Sequence, residues 1–168
     1  AFIKGSIWIG YFGLFLGLGL GGKKYTMVEM ALALIVAIFL LYLGIYVLNE
    51  PFDPASKKLP SIYFSDHWHW EPRETLKPRR EQWGGLLFAL GWLIAYTGFI
   101  KKDILARNMV LWGMLAGGLG FSLGQSVQAY HAWNVDWFQV GWLASFEPNI
   151  NWWNMMEITF GAIFGCVL

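Results

Sequence analysis

The chain has 168 residues, of which 57% are hydrophobic and only 14% charged, with a formal net charge of +1. That is more apolar side chain than one soluble core of this size can bury, so an ordinary water-soluble domain is excluded and lipid is expected to cover the excess. The near-neutral balance offers no basic field for nucleic acid, and a single cysteine, Cys166, excludes an internal disulfide or a cysteine metal cluster.

Taken in order, the apolar runs are Ile7 to Gly22, Tyr25 to Leu48, Trp83 to Ile100, Ile104 to Gly124 and Trp152 to Leu168. A helix needs about 20 apolar residues to cross roughly 30 Å of hydrocarbon. The second and fourth runs fit, and the other three are a little short. Strand-like alternation is absent, and lipid leaves helices as the economical way to satisfy the backbone. The expected fold is therefore an all-α integral membrane protein. It is a polytopic bundle of about five transmembrane helices over 1–168, with a structured Pro/Trp/His-rich loop on one face. No cleavable signal peptide is expected, because the first run passes through Lys23 and Lys24 directly into the second. The start at Ala1 and the uncapped last run suit an excerpt of a longer chain.

Two long connections separate these runs, 49–82 and 126–151. The first carries five of the six prolines, at Pro51, Pro54, Pro60, Pro72 and Pro78, and is expected to be extended and irregular. The short connections hold Lys23, Lys24, Lys101, Lys102 and Arg107 against Asp103 alone, which assigns them to the cytoplasmic side and both long loops to the outside.

The stretch from Ile62 to Gly85, IYFSDHWHWEPRETLKPRREQWGG, organises the rest of the reading. It holds His67 and His69, and His131 in the second long loop is the only other histidine. In an extended strand His67 and His69 share one face, and with His131 they would supply three imidazoles to a divalent metal such as Zn²⁺ or Cu²⁺. H-x-H alone is weakly specific. The plainer reading is a belt of interfacial His and Trp at headgroup level. A pigment or haem is less expected, since no predicted span contains a histidine.

Polar and aromatic candidates gather near the same face. Gln125 and Gln128 extend the fourth helix along a three-four stripe that reaches His131, as solute contacts or as hydrogen bonds between helices. Trp68 and Trp70 in the first loop, and Trp133 with Asp136 in the second, have the composition of a surface that stacks on sugar rings and holds hydroxyls. A loop lying on lipid would have it too. Glu29, Glu81 and Glu157 lie near the starts of spans. Glu157 is the sharpest of them, because an acid inside an apolar run is costly and its helix offers no basic partner; Arg79, Arg80 or a ligand is the expected source of one.

Glycines spaced by four, Gly13, Gly17 and Gly21, Gly113 with Gly117, Gly120 with Gly124, and Gly161 with Gly165, predict close helix packing. GLFLGLGLGG before YTMVEMALA and GMLAGGLGFSLGQ before WNMMEITFGA suggest a faint inverted repeat of the kind transporters use. The H-E-x-x-H, Walker, G-x-S-x-G and EF-hand patterns are absent.

Three functions follow as expectations. The first is transport or binding of a polar or glycan-like solute through the outer aromatic loops, with Trp68, Trp70, Gln125, Gln128, Trp133, Asp136 and Glu157 as contacts. The second is a membrane-embedded enzyme acting on a lipid-linked or glycan substrate with a His67, His69 and His131 site. The third is a packing or cofactor-binding subunit of a larger membrane complex. The expected partners are the lipid bilayer and, in the last case, other membrane subunits.

Overall fold

The computed structural model describes residues 1–21, 23–56, 58–63 and 80–168. Among them the regular structure is helical, and no strand forms beyond an isolated bridge between Asp53 and Lys58. The helices are α1 (Phe2–Leu20), α2 (Met27–Leu48), α3 (Trp83–Ala95, continued by a π-helical turn Tyr96–Ile100), α4 (Ile104–Trp133), the single turn α5 (Val135–Phe138) and α6 (Trp152–Val167).

Local chemistry sets their starts. Thr26 and Glu29 form a capping box on α2: the Thr26 hydroxyl accepts from the Glu29 amide at 3.2 Å and the Glu29 carboxylate accepts from the Thr26 amide at 2.8 Å. Asp103 caps α4 through the Ala106 amide at 3.1 Å, and Asn151 caps α6 through the Trp153 amide at 3.0 Å.

Among the described residues, four segments are long and apolar enough to cross a membrane: Phe2–Leu20, Met27–Leu48, Trp83–Ile100 and Ile104–Trp133. The expected count of about five is not supported: the remaining apolar helix, α6, has 16 residues in the chain and is not among these four. A second difference concerns α4, which the apolar run ends at Gly124 and which instead continues to Trp133. Residues 126–133, expected in a loop, are helical. No proline or glycine lies between Gly124 and Asn134, and polarity by itself does not stop a helix.

The chain forms two compact units. Unit 1 comprises Ala1–Gly22 and Asp103–Leu168, and unit 2 comprises Lys23–Lys102.

In unit 1, α4 packs on α1 with one face and on α6 with another. The α1 seam is made of glycine. A Cβ added at Gly5 would meet the Gly117 carbonyl, one at Gly13 the Met109 carbonyl, and one at Gly113 the Ile9 carbonyl. On the α6 side, a Cβ at Gly124 would come within 2.6 Å of the Met156 carbonyl oxygen, and one at Gly120 within 3.0 Å of Phe160. Backbones in this contact gain dispersion attraction where lipid supplies no hydrophobic force between helices. Ile7, Leu14, Val110 and Met156 fill the seams, and Trp8, Phe121 and Phe160 interlock at ring separations of 5.6 and 5.8 Å.

In unit 2, α2 pairs with α3. Gly44 lies against Gly84, and the buried Asn49 side chain accepts from the Gly84 amide at 2.9 Å. Further along, the Trp92 indole N–H donates to the Ala33 carbonyl at 2.9 Å, and Lys101 closes on Glu29 at 2.8 Å with its ammonium over the Tyr25 ring. The rest of α2 is apolar on every side, with Ile35, Phe39, Tyr42 and Tyr46 exposed, which is the pattern of a helix meant for lipid or for other helices.

The faint repeat is not matched in packing. α4 and α6 pack within one unit, whereas α1 and α2 belong to different units.

Candidate functional site

The polar and aromatic residues singled out in the second half of the chain converge at one end of unit 1, where α4 finishes, α5 turns and α6 begins. The end of α4 is closed by Asn134, whose amide donates to the His131 carbonyl at 3.0 Å and whose side-chain nitrogen donates to the Tyr130 carbonyl at 2.8 Å. The chain then winds through α5 and two 3₁₀ turns, Gly141–Ser145 and Glu147–Asn149, into the Asn151 cap of α6. These turns bring Glu147 back to the last turn of α4.

At the centre, His131 Nε2 lies 2.8 Å from Glu147 Oε1, and the two side chains are only 15% and 19% exposed. The Trp152 indole N–H donates to both Glu147 oxygens, at 3.3 and 3.1 Å. The His131 ring is stacked on Trp152, with centroids 4.0 Å apart and planes 11° from parallel, and Phe138 sets its edge against both rings. Glu147 thus accepts from two ring nitrogens inside an aromatic wall. When the imidazole is neutral and donates through Nε2, the lone pair resides on Nδ1. This is the geometry of an oriented acid–base group.

Around that centre the surface is aromatic and acidic. Trp133 is 75% exposed, Trp142 74% and Trp137 67%. Asp136 is exposed on α5, and Gln125 and Gln128 are half-buried on the last turns of α4. Glu157 is exposed one turn into α6, where it accepts from the Trp153 indole N–H at 2.7 Å. This hydrogen bond comes from its own helix. Arg80 pairs with Glu50, and Arg79 lies outside the described residues.

The structure thus gathers His131, Trp133 and Asp136 at one end, with Gln125, Gln128 and Glu157 on the helices leading to it. His67, Trp68, His69 and Trp70 lie outside the described residues. Among the described residues no three His, Cys, Asp or Glu side chains stand together in a group that would hold a metal ion. Glu147 and Phe138 are the centre residues that sequence reasoning passes over. A carboxylate that meets a histidine 16 positions earlier through irregular turns leaves no periodic mark.

Comparison with family models, curated proteins and solved structures finds no match to this chain.

Proposed function

We propose that the chain is an integral membrane protein that captures a polar or glycan-like solute on the aromatic end of unit 1, as the binding step of transport. The observation that carries this reading is the group of exposed tryptophans, Trp133, Trp137 and Trp142, set about a rigid His131–Glu147–Trp152 centre. Flat rings stack on the apolar faces of a solute at small entropic cost, and nearby carboxylates and amides hold its polar groups. Asp136, Gln125, Gln128 and Glu157 are the polar contacts in this reading, and Trp68 and Trp70 would add to them from the proline-rich loop. The positive-inside rule, applied to Lys23, Lys24, Lys101, Lys102 and Arg107, supports an outer location for 126–151. The four apolar helices support the bilayer as the first partner. Saturable quenching of tryptophan fluorescence by a solute, weakened in Trp142→Ala and Trp133→Ala, together with uptake into proteoliposomes that falls in Glu157→Gln, is the expected result. A reconstituted protein that neither binds nor moves any tested sugar or polar solute ends this proposal.

The His131–Glu147 pair favours a second reading, an enzyme acting on a lipid-linked or glycan substrate. Here Glu147 fixes the imidazole and Nδ1 accepts a proton from a substrate hydroxyl. Turnover lost in both His131→Gln and Glu147→Gln, with solute binding retained, would select this reading over transport. The open glycines on α6, Gly161 and Gly165, would have nothing within 4 Å of an added Cβ. They support contact with other membrane subunits, which co-purification in mild detergent tests.

A further inference from the structure

We infer that the solute held at this end of unit 1 is a quaternary ammonium cation, seated in the corner between Tyr130 and Trp137. This inference rests on the solute-binding reading and narrows it to one chemical class.

Charge comes first. No lysine or arginine follows Arg107, while Asp136, Glu147 and Glu157 all lie beyond it. Glu147 is engaged by His131 and Trp152, and Glu157 by Trp153. Asp136 is exposed, and its carboxylate takes no hydrogen bond among the described residues. Every Asp, Glu, Lys or Arg in 108–168 is thus acidic, which disfavours solutes of net negative charge and favours a cationic group.

Ring geometry supplies the second part. Tyr130 and Trp137 stand 6.4 Å apart in a T-shaped pair at 79°, so their ring planes meet nearly at a right angle, and the two residues are 48% and 67% exposed. Trp133 follows Tyr130 by one helical turn and is exposed as well. Exposed rings set at nearly a right angle, with Asp136 next to Trp137 in sequence, suit a bulky, weakly hydrated cation, which sheds water more readily than a primary ammonium. Tyr130 is itself held from behind, edge to face with Phe138 at 6.3 Å, and Phe138 leans on the His131–Trp152 stack. The corner is thus rigid before anything binds, which limits the ordering cost.

Such a cation reaches this surface either as a free solute of the choline or betaine type or as the headgroup of a choline lipid. The test is a fluorescence and calorimetric titration of the whole chain in nanodiscs, with tetramethylammonium, choline, maltose and dimethylbutanol, the uncharged carbon isostere of choline. Choline and tetramethylammonium are expected to bind saturably and the isostere at least about tenfold more weakly. Trp137→Leu and Asp136→Asn are each expected to weaken choline binding about fivefold with the helical circular dichroism unchanged. Equal binding of the isostere, or unaltered choline affinity in Trp137→Leu, overturns the inference. Choline binding seen in phosphatidylglycerol discs and masked in phosphatidylcholine discs assigns the corner to a lipid headgroup, and equal binding in both assigns it to a free solute. If maltose binds and choline does not, solute capture stands and the cation inference falls. If nothing binds, both fall.

Discussion

Where α1 crosses α4, backbone rests on backbone, and the side chains that make this work are those that are missing: Gly5, Gly13, Gly113 and Gly117. Where α2 meets α3, glycines touch at one end only, and the remaining length is tied by side chains, Asn49 to the Gly84 amide, Trp92 to the Ala33 carbonyl and Lys101 to Glu29. Both pairs lie in helices suited to lipid, where apolar burial between helices contributes little. The first relies on many weak dispersion contacts made possible by close approach. The second relies on a few directional bonds, of which those of Asn49 and Trp92 are strengthened by a low dielectric. The first should therefore be intolerant of added volume and the second of lost polar atoms.

The largest effect belongs to the glycine seam. Gly117→Val places a branched side chain onto the Gly5 carbonyl, and backbone cannot rotate away as a side-chain tip would. Destabilisation of about 3 kcal/mol is expected, read as a lowered unfolding midpoint in detergent. Gly161→Val, on the open face of α6, should change stability by less than about 0.5 kcal/mol in the isolated chain. Equal losses in the two would show that glycine matters here for something other than approach. Next comes Asn49→Ala in unit 2, which strips the buried Gly84 amide of its acceptor and should cost about 2 kcal/mol, whereas adding volume at the exposed Gly91, which has nothing within 4 Å, should cost little beyond helix propensity. Comparable in size, Glu147→Ala leaves His131 and the Trp152 N–H without their shared acceptor, an expected loss of about 2 kcal/mol. Near-ultraviolet circular dichroism should report loss of the His131–Trp152 stack as well.

How far the sequence could be read follows the same division. The rows Gly13/Gly17, Gly113/Gly117 and Gly120/Gly124 are visible as spacings, and each is in close contact. Gly161/Gly165 shares that spacing, and among the described residues nothing lies within 4 Å of a Cβ added at either, because spacing tells how closely a helix can be approached and not what approaches it. Helical character is legible from apolar runs, but a count of spans is not secured by them: the fifth run forms a helix, Trp152–Val167, that is not among the four segments long and apolar enough to cross. His131 stands out as one of three histidines, and its partner does not. Asn49, Trp92 and Glu147 act through tertiary placement, and no periodicity announces a hydrogen bond across 35, 59 or 16 positions.

The smallest effect concerns the exposed tie of unit 2. Lys101 is raised above its ordinary value of 10.5, chiefly by its hydrogen bond to Glu29, with a further contribution from the charge of that carboxylate. A cation whose folded-state value is raised stabilises fully below its unfolded value and loses that contribution as pH climbs through the folded one. On the alkaline side the α2–α3 tie should therefore be insensitive to pH through the neutral range and weaken above about pH 10.5. With the Glu29 side chain 39% exposed, solvent and salt partly screen the pair, so Lys101→Met should lower the unfolding midpoint less than the destabilising substitutions above, and added salt should shrink even that difference. Glu29→Gln should remove the alkaline dependence while disturbing the Thr26 capping box as well, so Lys101→Met is the cleaner variant. An alkaline loss of stability that persists in Lys101→Met would place the titrating group elsewhere and leave α2–α3 held by Asn49 and Trp92 alone.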